Sequence, residues 1–370
     1  MTKSKTYKTK GAAAIVTAAV LALIALFGMA ACSNAAQPDA GTGGSAAPPE
    51  APFVEGGASL ILSPDKLDIK VKVTTSDGTP IRIEGCTETE LTSGTETVLH
   101  AKGTLVILKG KISKLDCGNF HHYQNPNKLT DLNVQGLTAL QELYCAYNQL
   151  TALDVQGLTA LQWLQCNHNQ LTALNVQGST ALQGLFCRNN RLIELNVQDL
   201  TALQKFDCDK NQLTALDVQG LTALQYLTCS DNQLTALDVQ GLTALQGLFC
   251  YRNQLIEFNV QDLTALQYLR CADNQLTALN VQGFTALKGL SCYNNRLNAD
   301  AFKKLFDDLP QRADSDCADC ILYTEESGVT EGNHTDFTAT PELANAFNNA
   351  KTVKKWKMYK RVIHSTEVEI

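Results

Sequence analysis

The sequence predicts a solenoid in which short parallel strands stack one per repeat and a small module closes each end. Three observations predict it. Cysteine recurs every 21 residues from Cys145 to Cys292. Asparagine follows each cysteine three places later, from Asn148 to Asn295. In each copy a Leu and a Cys flank one variable residue, as in "LYC" (Leu143 to Cys145), which is the two-residue period of a strand with one buried face. One such strand cannot bury that face alone, so the array needs its neighbours and its ends need caps.

The chain begins with a segment that reads as an export signal rather than as fold. Lys3, Lys5, Lys8 and Lys10 precede an uncharged apolar run from Ala12 to Ala31, so residues 1–31 are expected to be a secretory signal. A membrane-spanning helix is the competing reading, since the run is about long enough. "MAAC" (Met29 to Cys32) resembles a bacterial lipobox, with Met29 where Leu is usual; this implies cleavage and acylation of Cys32. Residues 32–53 are rich in Ala, Gly and Pro and cannot pack, so they are expected to be a disordered tether. Its r.m.s. reach would be roughly 25 Å. Multi-chain acylation holds a protein on a membrane far better than one chain does.

Residues 54–115 carry short alternating runs, "LDIKVKV", "IRIEG" and "TLVILKG", separated by turn signals such as "SDG". They predict a β-rich N-terminal cap. The repeat region spans 116–297. An irregular unit comes first, with "LDCGN" (Leu115 to Asn119) read as a strand and "FHHYQNP" as an insertion before the frame resumes at Leu129. Eight regular units follow from about residue 140. Each reads L-x-x-L-x-C-x-x-N-x-L, which matches the leucine-rich-repeat pattern with Cys in a Leu slot; in its first half only Phe206 departs. Stacked rungs about 4.8 Å apart would form a parallel sheet roughly 35–40 Å long on the concave face. The return half, "LTALDVQGLTA", has no room for a three-turn helix, so the convex side should be extended or turn-like. The asparagines are expected to form a buried ladder that satisfies backbone groups between turns. The cysteines are expected to be free, buried, small hydrophobes: in-register rungs hold Cβ atoms about 4.8 Å apart, wider than the ~3.8 Å a disulfide prefers.

The whole unit, including "NQLTALDVQGLTALQ", is similar to the 21-residue Treponema-type class of bacterial leucine-rich repeats. That resemblance implies a lipoprotein of the outer-membrane cell surface that binds protein ligands, in adhesion to host tissue or to other bacteria. A periplasm-facing scaffold without an external ligand is the alternative.

The letters that change between copies lie before, between and after the inward Leu and Cys. Eight of these twenty-four slots hold aromatics, in a chain that is 6% aromatic. Tyr144, Trp163, Phe186, Arg188, Tyr226, Phe249, Tyr251, Tyr268, Arg270 and Tyr293 are therefore the candidate ligand-binding residues, because exposed aromatics and arginines anchor protein interfaces. Stacking between rungs is the competing role. "GLFCRNNRLIELNVQDLTALQ" from Gly184 recurs nearly unchanged at Gly247, three units on.

Residues 298–370 are expected to be an α+β C-terminal cap. "NADAFKKLFDDLP" has helical spacing and a Pro310 stop, "ILYTEE" and "VKKWKMYK" read as strands, and "TPELANAFNNA" reads as a helix. "DCADC" (Cys317, Cys320) is a weak C-x-x-C signal without the strand–helix setting of a redox motif or a second pair for zinc. "NHT" (Asn333 to Thr335) has the letters of a glycosylation sequon and is set aside for a bacterial product. No metal or cofactor is expected, and the six histidines (His100, His121, His122, His168, His334 and His364) form no catalytic constellation. The formal net charge of −7 comes with no basic stripe, so nucleic acid is not an expected partner.

Overall fold

The structure is a computed structural model that describes residues 50–118, 127–362 and 366–370. The signal segment, Cys32, most of the tether, the Phe120 to Pro126 insertion with His121 and His122, and His364 lie outside the described residues.

The eight repeat strands, from Glu142–Tyr144 to Gly289–Ser291, pair in parallel and in register within one 14-stranded sheet. Leu sits opposite Leu at each step, as Leu164 does with Leu143 and Leu185. Phe206, the one departure, sits in the same row and is buried. The Leu, Cys and Val of every turn form one continuous core running into both end modules. The return half contains no helix. It carries only two short parallel pairs, Ala152–Asp154 with Ala173–Asn175 and Ala236–Asp238 with Glu257–Asn259. The chain is thus a leucine-rich-repeat solenoid with a parallel concave sheet and a turn-like convex side.

The asparagines build the expected ladder. The Asn232 side chain accepts from the Leu213 amide at 3.0 Å and donates to the carbonyls of Cys208 at 3.0 Å and Cys229 at 3.1 Å. The same bonds recur from Asn148 to Asn295, so each repeat Cys carbonyl accepts from two asparagines, its own and the next. Every rung is thereby fastened to its neighbour through buried amide groups whose desolvation would otherwise be uncompensated. The residue before each asparagine adopts the left-handed conformation in all eight copies, with φ between 50° and 59° from Tyr147 to Asn294. A side chain there is unfavourable, but the turn sends backbone amides such as Tyr147 and Asn189 onto the carbonyls of the next rung at 3.0 and 2.8 Å.

Both caps continue the ladder with asparagines the repeat frame does not mark. Ile112–Asp116 is the first rung and pairs with Glu142–Tyr144. Its ladder asparagine is Asn127, beyond the insertion, which bonds the Cys117 and Lys70 carbonyls and the Lys70 amide. The cap itself is two antiparallel layers. Asp68–Thr75 and Glu96–His100 extend the 14-stranded sheet. The other layer is a five-stranded sheet in which Gly57–Leu62 pairs with Leu129–Asn133 of the irregular unit.

At the far end Asp319–Thr324 adds a parallel strand with Cys320 opposite Leu290 and Leu322 buried. Asn333 closes the ladder there, bonding the Cys292 and Leu322 carbonyls and the Leu297 amide at 2.9 Å each. The sequon asparagine is therefore a buried structural residue. Helix α1 (Ala299–Asp308) is capped by the Asn298 side chain, and α2 (Pro341–Thr352) by Thr340 with Pro341 in its first turn. Phe302, Phe306, Phe337 and Phe347 pack together beneath them. Lys357–Val362 follows as a parallel strand, and Thr366–Glu369 forms an antiparallel edge that the sequence pattern did not indicate.

All twelve described cysteines are free and eleven are buried. Burial pushes the Cys166 thiol up to about 12, and others further, so the column is inert filler. Cys317 is exposed, whereas Cys320 is in the core, so the C-x-x-C pair is split between surface and interior.

These roles predict different costs. Asn232→Ala strands the Leu213 amide and should cost about 2–4 kcal/mol in urea unfolding. Cys229→Ala leaves only a small cavity and should cost on the order of 1 kcal/mol. An equal cost for the two would mean the ladder contributes nothing beyond packing.

Candidate functional site

The concave sheet brings the ten candidate residues onto one surface but does not expose them equally. The rings are half-buried, lying on the sheet rather than standing in water; only Tyr226, at 38%, and Arg188 count as exposed. Several slots expected to be displayed are buried instead: Ala146, Asn167, Ser230, Ala272 and Ser291. Ala146, Asn167, Ser230 and Ala272 follow the Cys, where the chain turns inward and small residues are packed away, whereas Ser291 lies within its strand between Leu290 and Cys292.

The reason the rings lie flat is a glycine. In the first variable slot Trp163, Tyr226 and Tyr268 are each followed one rung later by Gly184, Gly247 and Gly289. A Cβ on Gly184 would meet the Trp163 ring at 2.3 Å, one on Gly247 would meet Tyr226 at 2.8 Å, and one on Gly289 would meet Tyr268 at 2.7 Å. Each ring thus covers a bare patch of backbone and gains burial. Trp163 also stacks on Phe186, with centroids 5.9 Å apart and planes 9° apart. Phe249 stands beside Gly247 as Phe186 stands beside Gly184.

Cations border these rings. The Lys205 ammonium is 6.0 Å from the Trp163 centroid, and Lys288 is 5.2 Å from Tyr268. Toward the ends, the candidates are tied into the caps. The Tyr144 hydroxyl donates to Glu142, and Lys114 pairs with that carboxylate and covers the ring at 4.8 Å. Arg270 pairs with Asp319 at 3.2 Å. Tyr293 accepts from Arg361, whose guanidinium lies 5.0 Å from the ring centroid. Tyr251 is flanked by Arg252. The freer centre of the face is therefore Trp163, Phe186, Tyr226, Phe249 and Tyr268.

Two features escaped the sequence reading. The first is a carboxylate pair, Asp207 and Asp209, on the rung between the two aromatic groups. Asp207 accepts from the Asp209 amide and Asp209 from the Ser230 amide at 2.6 Å. Neither forms an ion pair among the described residues; Arg188 is near enough only to ease them. Burial, then Asp207 and Asp231, pushes Asp209 up to about 7, and burial also raises Asp207. The second is the column of left-handed residues along one edge of the sheet. There Tyr147 stacks on His168 at 4.2 Å, His168 bonds Asn189 at 2.7 Å, and Arg252 lies between Asp231 at 3.5 Å and Asp273 at 3.8 Å. Its sequence signal is the fixed slot before each ladder asparagine.

Among the described residues no three His, Cys, Asp or Glu side chains are arranged to hold a metal ion. The surface is rigid, half-apolar, and charged at defined rungs.

No protein-family model matches the chain, and no curated protein matches it. Solved leucine-rich-repeat structures do. The functional domain of InlJ from Listeria monocytogenes, described as including a cysteine ladder, is 29% identical over 58% of this chain and 49% of its own, with a TM-score of 0.43. A leucine-rich-repeat protein of Leptospira interrogans is 22% identical over 62% of this chain and 56% of its own, with a TM-score of 0.45. YopM from Yersinia enterocolitica is 21% identical over 65% and 51%, at 0.42. The chain spans about half the length of these structures.

Asp209 gives the face a testable pH dependence. Its folded pKa is above the unfolded value of 3.8, so the fold is most favoured with Asp209 protonated and loses stability as pH rises from about 4 to about 7. Asp209→Asn keeps the oxygen that meets the Ser230 amide. It should raise the melting temperature at pH 8 and leave it nearly unchanged at pH 4; a larger gain at pH 4 would reverse the assignment.

Proposed function

We propose that this is a surface lipoprotein, anchored by lipid on Cys32, whose concave face binds protein ligands in adhesion to host tissue or to other bacteria. One observation carries the binding part: a row of half-buried aromatic rings held on a sheet that the asparagine ladder makes rigid. Aromatics concentrated on a preorganised surface lose little entropy on binding and are the side chains that dominate interface energies.

Replacing Tyr144, Trp163, Phe186, Tyr226, Phe249 and Tyr268 by Ser should preserve the circular dichroism spectrum and abolish adhesion of cells displaying the protein. Undiminished adhesion by a folded variant would move the ligand site off this face. Protease treatment of intact cells separates this reading from a periplasm-facing scaffold, which would be untouched.

The anchor is tested apart from the face. Cys32→Ser should lose incorporation of a tagged fatty acid and appear as precursor or in the soluble fraction. Label that persists on the variant would place the lipid elsewhere and remove the anchor from the proposal.

A further inference from the structure

The aromatic face is built twice. Trp163, Gly184 and Phe186 on two successive rungs are matched, 63 residues on, by Tyr226, Gly247 and Phe249. The local geometry is the same in both: a Cβ on either glycine would meet the first-slot ring, at 2.3 or 2.8 Å, and the second-slot Phe at 3.0 Å. In-register pairing sets the separation. Phe186 and Phe249 stand three rungs apart in one row, which at about 4.8 Å per rung is about 14 Å along the solenoid axis. Between them lies the rung that carries Asp207 and Asp209.

Resting on the protein-binding reading above, we propose that the partner presents an extended segment along the solenoid axis, with apolar side chains at positions i and i+4 and a basic side chain at i+2. Four residues of extended chain cover about 14 Å, and i, i+2 and i+4 project from the same side. The apolar side chains meet the two aromatic pads. The basic side chain meets Asp207 and Asp209, which form no ion pair among the described residues and are half-buried, where an opposite charge counts for more than in open water. Arg188 lies near both carboxylates without forming an ion pair, and Lys205, on the same rung as Asp207, is directed over the Trp163 ring rather than onto either carboxylate. A neutral polysaccharide could match the spacing but would leave the carboxylates uncompensated.

The test uses the full chain and synthetic peptides read by fluorescence polarisation. The parent probe carries Phe-Thr-Lys-Thr-Phe between flexible flanks. In its companions the centre is Gln or Glu, or the two Phe stand three or five residues apart. The parent should bind best, with each change weakening it by about tenfold or more, and the Glu centre the weakest. Asp207→Asn with Asp209→Asn should erase the preference for Lys over Gln and keep the preference for spacing, a split that simple misfolding would not produce. Equal binding of all probes, or preference for Glu, overturns the proposal. Binding of cellotetraose with no peptide bound would assign the face to carbohydrate. Self-association in sedimentation that is lost on Phe186→Ser with Phe249→Ser would assign it to a second copy, and either result also overturns the proposal. If the aromatic replacements abolish adhesion while the peptides show no pattern, the protein-binding reading stands and this inference falls.

Discussion

The rest of the structure depends on one repeated interaction, an asparagine side chain placed between the cysteine carbonyls of two adjacent rungs. Each amide group has three backbone partners, two carbonyls and one N–H, shared between two adjacent turns of the chain. A register slip of one residue would break all three in a dry environment, so the ladder fixes register more sharply than packing of Leu on Leu can. Register in turn decides everything on the opposite face of the sheet, because each variable letter then occupies a known row and a known rung. The array also has to end, and a ladder cannot end on unsatisfied groups. Both caps therefore supply an asparagine of their own, Asn127 and Asn333, before antiparallel strands take over the sheet edges.

The same register explains why the cysteine column is chemically silent. A thiol in this slot has a Leu row beside it and ladder carbonyls at its own backbone, with no water to support a thiolate. Burial therefore raises the pKa values throughout the column. The slot needs a small apolar group, and sulfur fills it without asking for a hydrogen bond. Export to an oxidising compartment would not change that, since adjacent rungs hold the thiols side by side rather than in the geometry of a bridge.

Much of this was legible in the sequence, and what was not has physical causes. The strands, the ladder from Asn148 to Asn295, the absence of convex helices and both cap helices follow from letters that recur or from local capping signals. Asn127 was hidden because the insertion carries the frame away from Cys117. Asn333 was hidden because it closes the last rung from 38 residues beyond Asn295, across a helix and a strand, with no repeat to mark it. Cys320 and Leu322 exchange the usual order of Leu and Cys, so the final rung did not match the pattern. On the outer face, sequence placed the aromatics but overstated their exposure. The flattening of Trp163, Tyr226 and Tyr268 requires the glycine of the next rung, a relation between residues 21 apart. Asp207 and Asp209 read as ordinary variable letters because their burial comes from neighbouring rungs, not from their own.

A face of this kind can hold groups that a globular core would not tolerate. Two nearby carboxylates that form no ion pair among the described residues and are only eased by Arg188, one with its pKa raised to about 7, work against the fold at neutral pH. In a compact domain that penalty would be felt by the whole cooperative unit. In a one-dimensional array it weakens mainly the rung that carries it and the two beside it, and the ladder on either side holds those rungs in place. The solenoid can therefore keep one rung electrostatically unsatisfied while the aromatic pads around it stay rigid. An unsatisfied rung between rigid pads favours a partner that brings the missing charge to that position, so specificity can arise from a local defect that the repeat architecture confines.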